Sequence, residues 1–142
     1  MTNAIKKVLV LITPQFNAKN LIDEGKKKAD LLSAQLHILY IKKGNNIFSG
    51  EKTALLLQDI YSYGSSLGGV VHAGCGENIK EKMAEFIIEN NITDIVMGQS
   101  PLTMRLTGKD ISKELSQTLQ QKDFCADIHV IEREDQNIYV AI

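Results

Sequence analysis

The residues best suited to chemistry lie between Asp94 and Asp110, in the run DIVMGQSPLTMRLTGKD. An apolar segment, Ile95-Val96-Met97, stops at Gly98 and gives way to a Ser/Thr-rich loop carrying Gln99, Ser100, Arg105, Gly108 and Lys109. A helical pattern follows. In alternating α/β proteins, ligands collect where a buried strand ends in small residues and a helix begins. Free backbone N–H groups, hydroxyls and a nearby cation suit a phosphate there. The stretch points to a nucleotide or another phosphorylated ligand.

Two familiar phosphate motifs do not fit. Residues 103–110, TMRLTGKD, approach a P-loop, but Thr103 stands at the first glycine and Asp110 at the metal-binding hydroxyl. Gly74-Cys75-Gly76-Glu77-Asn78-Ile79 begins like a dinucleotide fingerprint, yet Ile79 fills the place of the third glycine. A bare two-glycine turn is the expectation, with Cys75 at or just before a helix N-terminus. A thiol there gains reactivity, which opens a redox reading beside the plainer one of a small turn residue. His37, His72 and His129 fall on three separate strands without metal-ligand spacing, so hydrogen-bonded strand histidines are expected and no metal site. Lys26, Lys27 and Lys28 read as a solvated helix face.

The elements that must position these residues follow from hydrophobic period. Ile5 to Thr13 is almost unbroken apolar sequence, as a strand covered on both faces requires, and Pro14 ends it. Between Asn17 and Ser33, Ala18, Leu21, Ile22, Ala29 and Leu32 recur at helical spacing. Gln35 to Ile41 forms a second strand, with a loop from Lys42 to Asn46. Glu51 to Leu67 is helical and apolar around much of its circumference, so it is either well buried or partnered. Val70 to Ala73 is a short third strand, and Ile79, Met83, Phe86 and Ile87 stripe the next helix. Asp94 to Met97 is strand four; Ile111, Leu115 and Leu119 mark the last helix, and Asp127 to Ile131 is strand five. The order β-α-β-α-β-α-β-α-β predicts a parallel sheet with helices on both faces. Ligand-bearing loops then follow strand one (Thr13, Pro14, Gln15), strand two (Tyr40, Ile41, Lys42), strand three (Gly74 to Gly76) and strand four (Gly98 onward).

The bulk numbers bound this picture. A chain of 142 residues with 44% hydrophobic and 23% charged residues is most simply one domain with its own core. A net charge of −1 argues against nucleic acid or anionic membrane as the main partner. No segment approaches the roughly 20 apolar residues of a membrane span. Two isolated cysteines make no disulfide framework, so a reducing cytoplasm is expected.

The ordered set of Gly98-Gln99-Ser100, Arg105 and Gly108 before an amphipathic helix, with the strands VLVLITP and QLHILYI, resembles the universal stress protein family. In particular it resembles the variant domain attached to the potassium-sensor histidine kinase KdpD. The likeness spans about residues 5–132 of the 1–142 chain, leaving 133–142 as a tail. It implies five parallel strands in the order 3-2-1-4-5 and an adenine-type nucleotide bound without catalysis, either ATP or AMP. For the kinase-attached variant it implies cyclic di-AMP. Gly98, Ser100, Gly108 and Lys109 would face phosphate, and Thr13, Gln15 and Tyr40 would lie near base or ribose.

Departures from the ATP-binding pattern are specific. Pro101 stands at the second glycine, only Leu102 to Thr107 precede Gly108, and Lys109 replaces Ser/Thr. Thr13-Pro14-Gln15-Phe16 lacks the usual acidic residue after strand one, and Thr13 and Gln15 replace the two serines tied to cyclic di-AMP. The expectation is a cytoplasmic sensor or stress-response module and homodimer. The alternative is a nucleotide-free homodimeric module docking on a sensor kinase or transporter. The apolar end of the tail, NIYVAI, is expected to extend a dimer interface beside strand five. A weak nucleotide hydrolase or thiol-redox enzyme is the third reading, disfavoured because the loop carries no evident metal-binding acid or general base.

Overall fold

The computed structural model describes residues 5–12, 17–44 and 51–132. The elements are β1 (Lys7–Ile12), α1 (Ala18–Leu32), β2 (Gln35–Lys43), α2 (Glu51–Ser66), β3 (Val70–Gly76), α3 (Ile79–Glu89), β4 (Asp94–Gly98), α4 (Leu102–Leu106), α5 (Ile111–Gln121) and β5 (Asp127–Ile131). All strand pairs are parallel, and the sheet order is β3-β2-β1-β4-β5. The expected doubly wound sheet is the observed one.

Alternation along β1 divides the core. Val8, Val10 and Ile12 point to one face and pack with Leu21, Ile22 and Ala29 of α1 and Ile60 of α2. Leu9 and Leu11 point to the other and pack with Met83, Ala84 and Ile87 of α3 and Leu115 and Leu119 of α5. A central strand buried on both faces explains why VLVLI shows no polar alternation. Close contact between α1 and β1 depends on Gly25: a Cβ built there would lie 2.1 Å from Val10 Cγ2. Leu55 and Tyr61 of α2 remain exposed, so only part of that apolar helix is covered by the sheet.

Three local expectations are corrected. Gly74-Cys75-Gly76 is not a turn, because β2 runs on to Lys43 and pairs Ile41 with Gly74, Lys42 with Cys75 and Lys43 with Gly76. Cys75 therefore lies within β3 rather than at the N-terminus of α3, where Asn78 is the capping residue. Tyr40, Ile41 and Lys42 belong to the same extended strand pairing and form no loop. The Ser/Thr-rich segment after β4 contains an additional short helix, α4, with no buried residue of its own.

Candidate functional site

With β2 and β3 on one side of β1 and β4 and β5 on the other, the chain reverses its winding direction between β1 and β4. That is the topological switch point, and the crevice above the carboxyl ends of these two strands is where such sheets bind ligands. The register brings Leu11 level with Met97, so Ile12 and the buried Gly98 end the two strands together. Gly98 pairs with Ile131 of β5, and the Gln99 N–H donates to the Ile131 carbonyl at 2.8 Å. Thr13, Pro14 and Gln15 lie outside the described residues.

From Ser100 to Ser112 the chain is closed by its own hydrogen bonds. Ser100 is only 4% exposed, and its Oγ accepts the Ile111 N–H at 3.1 Å. Arg105 Nε donates to the Ser100 carbonyl at 3.1 Å, which ties α4 to the segment leaving β4. Pro101 begins α4 with φ −53°, a residue that gives up no N–H at a position where none is needed. The helix stops at Gly108, whose φ of +77° lies in the left-handed region. The Gly108 N–H donates to the Arg105 carbonyl at 3.1 Å, and the Lys109 N–H to the Met104 carbonyl at 2.8 Å. Those two bonds form a Schellman stop, so Gly108 has a helix-terminating task. Asp110 then caps α5: its Oδ1 accepts from the Ser112 N–H at 3.1 Å and from the Ser112 hydroxyl at 2.7 Å.

The structure thus brings Gly98, Gln99, Ser100, Arg105, Gly108 and Lys109 into one connected segment beside the β1 end. Lys109 is exposed there. Tyr40 and Ile41 are placed differently. Tyr40 is 6% exposed within the α1–α2 side of the core and Ile41 8% exposed within the α3–α5 side. In the described residues Tyr40 packs as a core ring, level with Ile12 at the upper end of the sheet. Asp110, weighed in the sequence only against a P-loop, is a residue of the candidate segment whose capping task the sequence reading did not draw. Its signal was present, an aspartate placed directly before the Ile111, Leu115, Leu119 stripe, which is an N-cap pattern.

The histidines form contacts of their own. His37 Nδ1 and His72 Nε2 lie 3.1 Å apart across β2 and β3, and His37 Nε2 lies 3.4 Å from Gln35 Oε1. With Oε1 as acceptor, His37 carries its proton on Nε2 and His72 donates to Nδ1, a tautomer assignment made from the network. Burial lowers the pKa of both rings, and His37 is lowered further by His72 and Lys7. His129 Nε2 contacts Asp94 Oδ2 at 3.0 Å. Among the described residues no group of three or more His, Cys, Asp or Glu side chains is placed to hold a metal ion. No helix among them is long and apolar enough to cross a membrane.

Sequence comparison finds no matching protein family and no matching curated protein. Solved structures do match in fold. A universal stress protein in complex with cAMP superposes with a TM-score of 0.64 at 15% identity, covering 92% of this chain and 98% of that one. A universal stress protein from Archaeoglobus fulgidus in complex with dAMP gives 0.61 at 12% identity, covering 92% and 99%. A member of that family from Burkholderia pseudomallei gives 0.63 at 14% identity, covering 92% and 98%. The chain shares the fold of these universal stress protein structures.

Proposed function

We propose that this chain is a universal-stress-protein-like module that binds an adenine-type nucleotide at the β1–β4 switch point and breaks no bond in it. The observation carrying this reading is the Gly98–Asp110 segment. A buried glycine ends the fourth strand, a buried serine follows two residues on, and a short helix and a glycine stop return the chain to the start of α5. Arg105 and Lys109 supply positive charge nearby. Two structures with the same fold hold cAMP and dAMP, which supports adenine as the recognised base. Thr13 and Gln15 would contact the base or ribose in this proposal. Signalling would work through different affinity of the ligand for two states of the module, expressed as dimer geometry or partner docking.

The test is a thermal-shift panel on the purified chain with ATP, ADP, AMP and cyclic di-AMP, with and without magnesium. A ligand at 100 times its dissociation constant adds about 2.7 kcal/mol, roughly 8–12 °C for a domain of this size. A shift of that order for an adenine nucleotide, absent with guanine and cytosine controls, supports the reading. A flat panel contradicts it.

One observation favours a second reading. The Ser100 hydroxyl, the Gly108 N–H, the Lys109 N–H and the Ser112 N–H are all engaged within the segment. A loop so fully bonded serves equally as a rigid surface for a nucleotide-free homodimer, or for docking on a sensor kinase of the potassium-sensing type or on a transporter. In that case the thermal panel stays flat while the protein elutes as a dimer at micromolar concentration.

A further inference from the structure

We infer that Asp110 is a specificity residue: its carboxylate fills the start of α5 and restricts the ligand to an adenine compound with at most one phosphate, excluding triphosphate. The inference rests on the reading of the switch point as an adenine-nucleotide site. In a doubly wound fold, the helix after the switch-point strand ordinarily offers its first-turn amides to a ligand anion. Here the first two of those amides are already taken. Ile111 donates to Ser100 Oγ at 3.1 Å and Ser112 donates to Asp110 Oδ1 at 3.1 Å. The same carboxylate oxygen accepts the Ser112 hydroxyl at 2.7 Å, so it is held from two directions.

Charge reinforces the geometry. Glu114 adds a second carboxylate to the first turn of α5, and it is paired across to Lys80 at 3.3 Å rather than to the loop cations. Arg105 directs its Nε at the Ser100 carbonyl rather than at Asp110. A phosphate seated on α5 would have to displace Asp110 from Ser112 and remain beside it, anion against anion. That penalty grows with each added phosphate, because successive groups add charge near the same carboxylate. A nucleoside, or a mononucleotide whose single phosphate meets Lys109 instead, avoids it.

The experiment is calorimetric titration of the full chain and of Asp110→Asn with adenosine, AMP and ATP. Asparagine keeps the capping hydrogen bond and removes the charge, and Asp110→Ser provides a second capping variant. Wild type should bind adenosine or AMP more tightly than ATP. Asp110→Asn should tighten ATP about tenfold while changing adenosine less than about twofold. ATP binding that emerges only in the variants gives the same support. Adenosine binding with an unchanged ATP-to-adenosine ratio in both variants overturns the inference and leaves the site reading standing. Tighter binding of ATP than of adenosine by wild type overturns it as well. Failure of all three ligands on wild type and variants overturns the site reading, and this inference with it.

Discussion

Ser100 illustrates how much one buried hydroxyl does in this chain. Its Oγ caps the Ile111 amide and its carbonyl holds Arg105, so the residue ties the segment after β4 to the last turn of α4 and the start of α5. Ser100→Ala should cost about 1–2 kcal/mol in urea unfolding, because the cap is lost and the Ile111 N–H is left without its acceptor. A change below about 0.3 kcal/mol would show that the amide finds water instead. The histidine pair makes a separate expectation about pH. Both rings have folded-state pKa values below the ordinary 6.5, so the unfolded chain binds protons first as pH falls. Stability from this pair is fully present above pH 6.5 and is lost as pH falls below it. Urea midpoints should therefore drop between pH 7.5 and 5.5, and the His37→Gln/His72→Gln double variant should show a smaller drop. An equal drop in the variant would assign the acid sensitivity to other groups. The histidines could be placed on strands from sequence, but their contact could not, because it depends on the β2–β3 register over 35 residues.

At the scale of elements, what was legible and what was not have distinct causes. The five strands and four longer helices announce themselves through apolar runs and stripes whose periods match the faces they bury. The end of β3 did not, because Gly74-Cys75-Gly76 has no strand preference of its own and is held by pairing with β2. Helix α4 was missed for a related reason: it is five residues long, and Leu102 and Leu106 are both exposed, so no buried stripe marks it. Gly108 was legible as special beside a candidate phosphate; what the sequence did not show is that its φ of +77°, with one stop bond from its own N–H and one from Lys109 N–H, also ends α4. Gly108→Ala has open space for its methyl group, so its cost should be conformational alone, about 1 kcal/mol. Calorimetric melting checks this, and an unchanged melting temperature would mean that α4 contributes nothing to stability. Gly25→Ala is the contrasting case, because its methyl would press on Val10 of the central strand. It should cost about 1–3 kcal/mol, and a neutral result would show that α1 can lift from the sheet at no expense.

For the whole molecule, the layering was recoverable because the βα alternation and a doubly apolar β1 call for a parallel sheet covered on both faces, whereas the strand order came from the family resemblance. The expected site residues fall into three groups. Gly98, Gln99, Ser100, Arg105, Gly108 and Lys109 do come together, while Tyr40 and Ile41 pack into the two halves of the core. Thr13, Pro14 and Gln15 lie outside the described residues. The switch point is a property of strand order, not of any single residue, which is why the fold locates it more firmly than the loop motif does. The most direct measurement is therefore a map of the ligand on the protein: backbone amide shifts of labelled protein titrated with AMP. The expected result is saturable movement confined to the amides just after β1, Gln99 and Ser100, and Gly108 to Ser112. No movement at millimolar AMP, or movement centred on the β3–α3 side of the sheet, would contradict the switch-point site.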